Sequence, residues 1–392
     1  MPDEILGMIP HPTFRAAALC IVTLAACKAE QPKPRPGQVD GSPAVSSVAK
    51  IPLTESDSAP LGNFLYPSKG PDGTFYVSDM ANSRVVVFAP DGKLARTIGR
   101  KGGGPGEFQG PAANGLIDGG RALAVSDVST LLVSLFRADS GSFIRSVRLP
   151  GNNVGFNWTV QGDTVLFALA APSLFARWIT TTDSVVALGQ APQRLIDDMG
   201  TALSHGRADV ARSNRGIVAL LPTEPGLHLL DPQGTKTGFV NIPSRRRRGE
   251  PVDLFERAKA ERAKGLAGFA PVGSVVVGLR LLSNGELVTV TMDVDQVGVP
   301  KEGQSFSSVR IFGNYRVWAT LVQADLSAAC VDAPIPVNSD VLPLPFFSGD
   351  TLWVLSSVED DAGSVKRSAE GFLLSDEGCE WIATGGVGAP RS

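Results

Sequence analysis

Histidine is scarce in this chain: three occur in 392 residues, and once an N-terminal leader is set aside only His205 and His228 are left. Protein zinc sites gather imidazoles, thiolates or carboxylates at short spacings, and neither histidine sits in such a motif. No Gly-x-Ser-x-Gly elbow and no His-Glu-x-x-His helix occurs either. Lys101 to Gly106 is glycine-rich enough to suggest a phosphate loop. A Walker loop needs Gly-Lys-Ser/Thr opening a helix, and Pro105-Gly106-Glu107-Phe108 offers neither, so the segment reads as a linker. Met292 to Gly298 has alternating acidic residues like a calcium loop. Val297 falls on a ligand position, however, and Gln304 stands where a bidentate glutamate is required. No metal ligand, cofactor or catalytic residue is assigned from these motifs.

Charged and polar clusters offer recognition chemistry instead. Arg245, Arg246, Arg247 and Arg248 open a long insertion and suit a phosphate, an anionic headgroup or an acidic partner. A solvated loop is the alternative. Behind them, Asp253 to Lys264 predicts an amphipathic helix (an insertion near 251–264), with Arg257 and Glu261 paired at i,i+4 and Gly265 as its stop. Asp79 and Asp127 close two strands of the same phase, with Asn82 and Arg84 nearby. They form either a polar rim facing a ligand or a set of side chains bonded to their own turns. The five tryptophans are scattered through apolar strands and suit core packing, with sugar stacking open for one or two.

Such residues need a scaffold. Hydrophobic residues make up 43%, charged residues 19%, and the net charge is −3, which describes a folded body without the basic excess of a nucleic-acid binder. The 43 glycines and 29 prolines imply many tight turns, and long helical periodicity is scarce. Tyr76-Val77-Ser78-Asp79 recurs as Ala124-Val125-Ser126-Asp127, and at the same offset Val87-Phe88 recurs as Leu135-Phe136. A turn glycine followed by an apolar strand recurs at Gly73, Gly120, Gly162, Gly216, Gly285 and Gly349. Six such units predict an all-β, six-bladed β-propeller of four-stranded antiparallel blades over residues 45–392. Val45 to Leu53 is a candidate outer strand for the last blade.

Gly62 to Pro67, Asp72 to Asp79, Asn82 to Phe88 and Asp91-Gly92-Lys93 together resemble one NHL repeat, followed by the glycine-rich link from Gly99 to Pro111. The resemblance is strong over 62–111, fair to about 150 and architectural beyond. It implies a six-bladed propeller similar to bacterial six-bladed lipoproteins and to NHL-repeat proteins, the latter of which use one face to recognise protein, peptide or glycan.

The N-terminus is read by its own chemistry. Arg15 precedes an uncharged apolar run to Ala26, too short to span a bilayer and the right length for a signal core. Leu24-Ala25-Ala26-Cys27 resembles the lipobox of bacterial lipoproteins, which implies a signal peptide over 1–26 and lipidation at Cys27. An ordinary secretory signal with a chance cysteine is the alternative, and Met8 is an alternative start. Residues 27–44 read as a flexible tether, rich in Pro, Lys and Gln. Lys28 in place of the retaining aspartate favours the outer over the inner membrane. Cys330 and Cys379 remain, each after an apparent hairpin, in equivalent outer-strand positions of successive blades. They are either disulfide-bonded or two buried thiols.

The expected function is a non-enzymatic binding or assembly module at the bacterial cell envelope, anchored by its lipid, with an unidentified protein, peptide or glycan ligand and no nucleic acid. The alternative is a calcium-dependent lactonase-like hydrolase. That would need carboxylates and amides around the axis, where the inner strands supply Asn157, Asp209 and Arg280 among apolar residues.

Overall fold

The structure is a computed structural model that describes residues 39–56, 59–150, 154–169, 172–197, 208–213, 215–222, 224–246, 274–296, 313–361 and 363–389. The expected signal peptide, Cys27, His205, Arg247, Arg248 and the helix near 251–264 lie outside the described residues.

Each repeat glycine opens a hairpin. Gly73, Gly120, Gly162, Gly216, Gly285 and Gly349 all have positive φ, from +59° to +115°. Glycine alone takes that conformation without strain from a Cβ, so the chain reverses there and the apolar run after it becomes the second strand of a blade. The first blade is β2 (Leu65–Lys69), β3 (Phe75–Asp79), β4 (Arg84–Phe88) and β5 (Leu94–Ile98). The second is β6 (Pro111–Ile117), β7 (Ala122–Asp127), β8 (Leu132–Arg137) and β9 (Phe143–Arg148). The third is β10 (Val154–Gln161), β11 (Thr164–Leu169), β12 (Ser173–Ile179) and β13 (Ser184–Gln190). The fourth has β14 (Asp209–Ser213), β15 (Gly216–Leu220), β16 (Gly226–Leu230) and β17 (Lys236–Asn241). The fifth has β18 (Ser274–Leu281), β19 (Leu287–Gln296), β20 (Gly313–Val322) and β21 (Ala328–Ile335). The sixth runs β22 (Leu344–Ser348), β23 (Thr351–Glu359), β24 (Val365–Ser375) and, outermost, β1 (Ala44–Leu53).

Alternation of side chains across a strand explains how such sheets stack radially. In β4, Val85 and Val87 join Tyr76, Leu123 and Phe136 between the first two blades. Val86 and Phe88 point the other way, to Phe75, Trp353 and Leu355 of the sixth-blade side. Both faces of the strand are buried, so it reads as one unbroken apolar run. Each fully buried valine or phenylalanine contributes about 1.5–3 kcal/mol relative to exposure.

The ring closes through β1, which lies antiparallel to β24 with Ala44 opposite Ser375 and Leu53 opposite Arg367. The Arg367 guanidinium bonds the Glu55 carboxylate and the Gly62 carbonyl, fastening this joint to the entry of the first blade. After β24 the chain continues as a belt. β25 (Ile382–Ala383) pairs with β21, and β26 (Val387–Gly388) pairs with β17. Blades four and five are therefore five-stranded, a departure from the four strands expected throughout. The belt covers part of two outer edges that would otherwise be open for pairing.

The belt also corrects the cysteine positions. Cys330 lies in outer strand β21, but Cys379 lies in the belt between β24 and β25 rather than in an outer strand. The two form a disulfide with Cα atoms 5.7 Å apart. Among the described residues the helical elements are α1 (Gln193–Asp197) and a 3-10 turn at Asp118–Gly120, and no helix is long and apolar enough to cross a membrane.

Up-and-down connectivity gives the ring two unlike faces. Turns from first to second and from third to fourth strand lie on one face, and the longest of them are five-residue turns such as 70–74 and 231–235. Connections between blades, and from second to third strand, lie on the opposite face. There the described residues include 191–197, with α1, and 242–246.

Candidate functional site

Aspartates at the ends of second strands are positioned by the repeat itself. Asp127 ends β7 and is 2% exposed. Its carboxylate accepts from the Gln109 and Gly110 amides of the incoming interblade link, at 2.7 and 3.0 Å, and from the Ser129 and Thr130 amides of its own turn, at 2.9 and 3.0 Å. Asp79, fully buried at the end of β3, does the same for Gly62 and Asn82 and also accepts from the Asn82 side chain at 2.7 Å. Arg84 lies beside it and donates to the Pro60 carbonyl at 2.6 Å. Of the two readings of Asp79, Asn82, Arg84 and Asp127, these hydrogen bonds are those of side chains that fasten their own turns and the incoming link. Buried carboxylates surrounded by amide donors have no free lone pair to offer an incoming group.

Arg245 and Arg246 are also engaged. The Arg245 amide bonds Asp332 at 2.6 Å, and its guanidinium bonds Glu380 at 2.6 Å and the Asp40 carbonyl at 3.3 Å. Arg246 stacks its guanidinium 3.8 Å from the centre of the Trp318 ring. These two arginines fasten the start of the insertion to the outer side of blade five, where the N-terminal segment and the belt meet. They do not form an open basic patch there.

A second buried polar group was not visible in the spacing of the sequence. Glu224, between β15 and β16, meets His228 Nε2 at 2.6 Å through one oxygen and Arg194 of α1 at 2.9 Å through the other. Burial alone would raise the Glu224 carboxyl, but the His228 hydrogen bond and the charges of His228, Arg194 and Lys236 outweigh it and hold the group below its ordinary value of 4.5. The His228 ring stands edge-on to Phe239, 5.1 Å between centres. This network clamps α1 onto blade four.

The axis carries a different kind of site. All six inner strands line one cavity of about 90 Å³. Ser68 of β2 donates to Asn114 of β6, whose amide nitrogen in turn donates to the Tyr66 carbonyl at 2.6 Å and the Ser78 hydroxyl at 2.9 Å. Thr159 of β10 donates to the Val210 carbonyl at 2.8 Å. Asp209, on β14, and Arg280, on β18, are both in the wall, as their inner-strand positions implied, together with Phe346 and Phe347. Burial lowers the Arg280 guanidinium from its ordinary 12.5, with the Asp350 carboxylate opposing; at neutral pH it stays charged. Asn157 lies on β10, and its side chain is outside the described set. Among the described residues, no group of three or more His, Cys, Asp or Glu side chains gathers as metal ligands would.

Comparison with known proteins bears on the fold. A family model described as 6-bladed beta-propeller matches residues 38–170. No curated protein matches the chain. Among solved structures, a member of the duf4221 family from Bacteroides vulgatus is similar at a TM-score of 0.53 and 10% identity, over 86% of this chain and 100% of that one. A Bacteroides fragilis protein described as exported gives 0.49 and 12%, over 86% and 97%. Virginiamycin B lyase from Staphylococcus aureus gives 0.48 and 11%, over 85% and 99%. At these identities the likeness is one of architecture, and this chain is a six-bladed β-propeller.

Proposed function

We propose that this chain is a lipid-tethered binding propeller of the bacterial cell envelope, anchored through Cys27 and presenting its loop-bearing face to a protein, peptide or glycan. The observation that carries this reading is the unlikeness of the two faces, one bearing turns of at most five residues and the other the connections between blades. β1 begins opposite Ser375, the end of β24 on the tight-turn face, and ends opposite Arg367. Ahead of β1 the Asp40 carbonyl accepts from Arg245 and the Gly41 carbonyl from the Glu380 amide, so the chain reaches β1 along the outer side of blade five. The face opposite the tight turns carries the connections between blades, among them α1 and its flanks over 191–197. Rigid rings that concentrate long loops on one side suit recognition, because the scaffold fixes loop positions while the loops supply contacts.

Two measurements test the parts separately. A Cys27→Ala precursor loses its acyl label; retention of the label refutes the anchor. A photo-crosslinking residue at exposed Asp361, on the loop-bearing face, captures an envelope component, whereas one at exposed Gln233, on the opposite face, does not. Equal capture from both positions, or from neither, removes the face assignment.

A further inference from the structure

Most described arginines of this fold reach a partner; exposed Arg148, Arg212 and Arg215 show none, and neither does Arg280, which lies on the axis. Arg84, Arg96 and Arg367 each bury an Nε that makes no hydrogen bond, yet each donates through its terminal nitrogens to a carbonyl: Pro60, Ala138 and Gly62. Arg280 buries its Nε in the same way. Among the described residues no hydrogen bond or ion pair reaches its guanidinium, although it lines a cavity enclosed by six strands. A cation taken partly out of water without a partner is costly, so its retention in a cavity calls for an occupant.

The remaining wall restricts that occupant. Ser68, Asn114 and Thr159 have their donors committed within the protein. In the wall the Arg280 guanidinium stays without a hydrogen-bond partner. The planar guanidinium fork of Arg280 matches a carboxylate through two parallel bonds. Pro67, Pro345, Phe346 and Phe347 supply apolar wall. At about 15 Å³ for each water-sized group, a cavity of 90 Å³ holds roughly six non-hydrogen atoms. Asp209 in the same wall disfavours a second negative charge.

We propose that the axial cavity binds a small monocarboxylate, its carboxylate on Arg280 and its short apolar chain against the prolines and phenylalanines. The site lies beyond the loop-bearing face and stands or falls independently of the recognition assigned to that face.

Sodium propanoate is the probe, titrated into the full chain at constant ionic strength against sodium chloride, with melting temperature and calorimetric heat as readouts. Saturable stabilisation by propanoate is expected, weaker with succinate and absent with methylammonium chloride. Arg280→Met is expected to fold and to weaken propanoate binding about tenfold or more. Arg280→Lys, which keeps the charge but loses the fork, is expected to fall between the two. Equal responses to propanoate and chloride would mean that the cavity holds solvent only, and unchanged binding in Arg280→Met would place the anion elsewhere. Either result overturns the assignment. Loss of Asp361 crosslinking bears only on the face reading.

Discussion

Two regions of this propeller bury charge, and they do so oppositely. At the interblade links, Asp127 meets four backbone amides and Asp79 meets two, plus a side-chain amide and a guanidinium. On the axis, Arg280 meets none of these complements. A satisfied buried charge holds its surroundings together, because removing it strands several donors at once. An unsatisfied one contributes little to the fold and is available to something else. The difference separates residues that build the ring from residues that the ring displays.

The contrast can be broken by substitution, beginning with the largest effect. Asp127→Ala leaves four amide donors without their acceptor and is expected to cost about 4 kcal/mol in urea unfolding. A loss under about 1 kcal/mol would show that the staple is replaceable by water.

Glu224→Gln comes next, at about 2 kcal/mol near neutral pH, since it weakens the bonds to both His228 and Arg194. Because the folded Glu224 carboxyl is held below 4.5, its contribution is complete above that value and is lost as pH falls through the lower, folded one. Unfolding midpoints at about pH 7 and about pH 3 should therefore differ more in the wild type than in Glu224→Gln. Parallel slopes would remove the assignment.

Arg84→Met is expected to cost about 1 kcal/mol, through loss of its bonds to Pro60 and Asp79. Arg280→Met is expected to change stability by less than about 0.5 kcal/mol, or to raise it, because no hydrogen bond is lost and burial of an unpaired charge is relieved. A cost comparable to that of Arg84→Met would place Arg280 among the structural arginines.

Much of the ring is legible before folding, because propeller blades are local. Gly73, Gly120, Gly162, Gly216, Gly285 and Gly349 each signal a hairpin within a few residues, and the alternating run after each is sufficient to mark a second strand. The belt is not legible in this way. Ile382–Ala383 and Val387–Gly388 are two-residue strands with no period to detect, and their partners lie in β21 and β17. The same limit applies to the sites. Asp79 and Asp127 are conspicuous by repetition, but only the geometry of their amide partners separates a staple from a rim. Glu224 and His228 stand four residues apart, the spacing of a helical pair, yet they belong to a turn and the strand after it. Arg280 can be placed on an inner strand from the pattern around Gly285. Its lack of a partner is a property of six strands together, and no local window contains it.

The joint between β1 and β24 sets an order on assembly. Arg367 reaches Glu55 across 312 positions of the chain. At 5–20 residues per second, synthesis alone separates the two by roughly 15–60 s. During that interval the first strand has no neighbour to zip against. Lys50, exposed, and Pro52, unable to donate to a ladder, both lie within it and suit a segment that must wait without recruiting another molecule. The last circumferential seam is sealed by the first piece made, so five blades must stand, uncircled, before the sixth is whole.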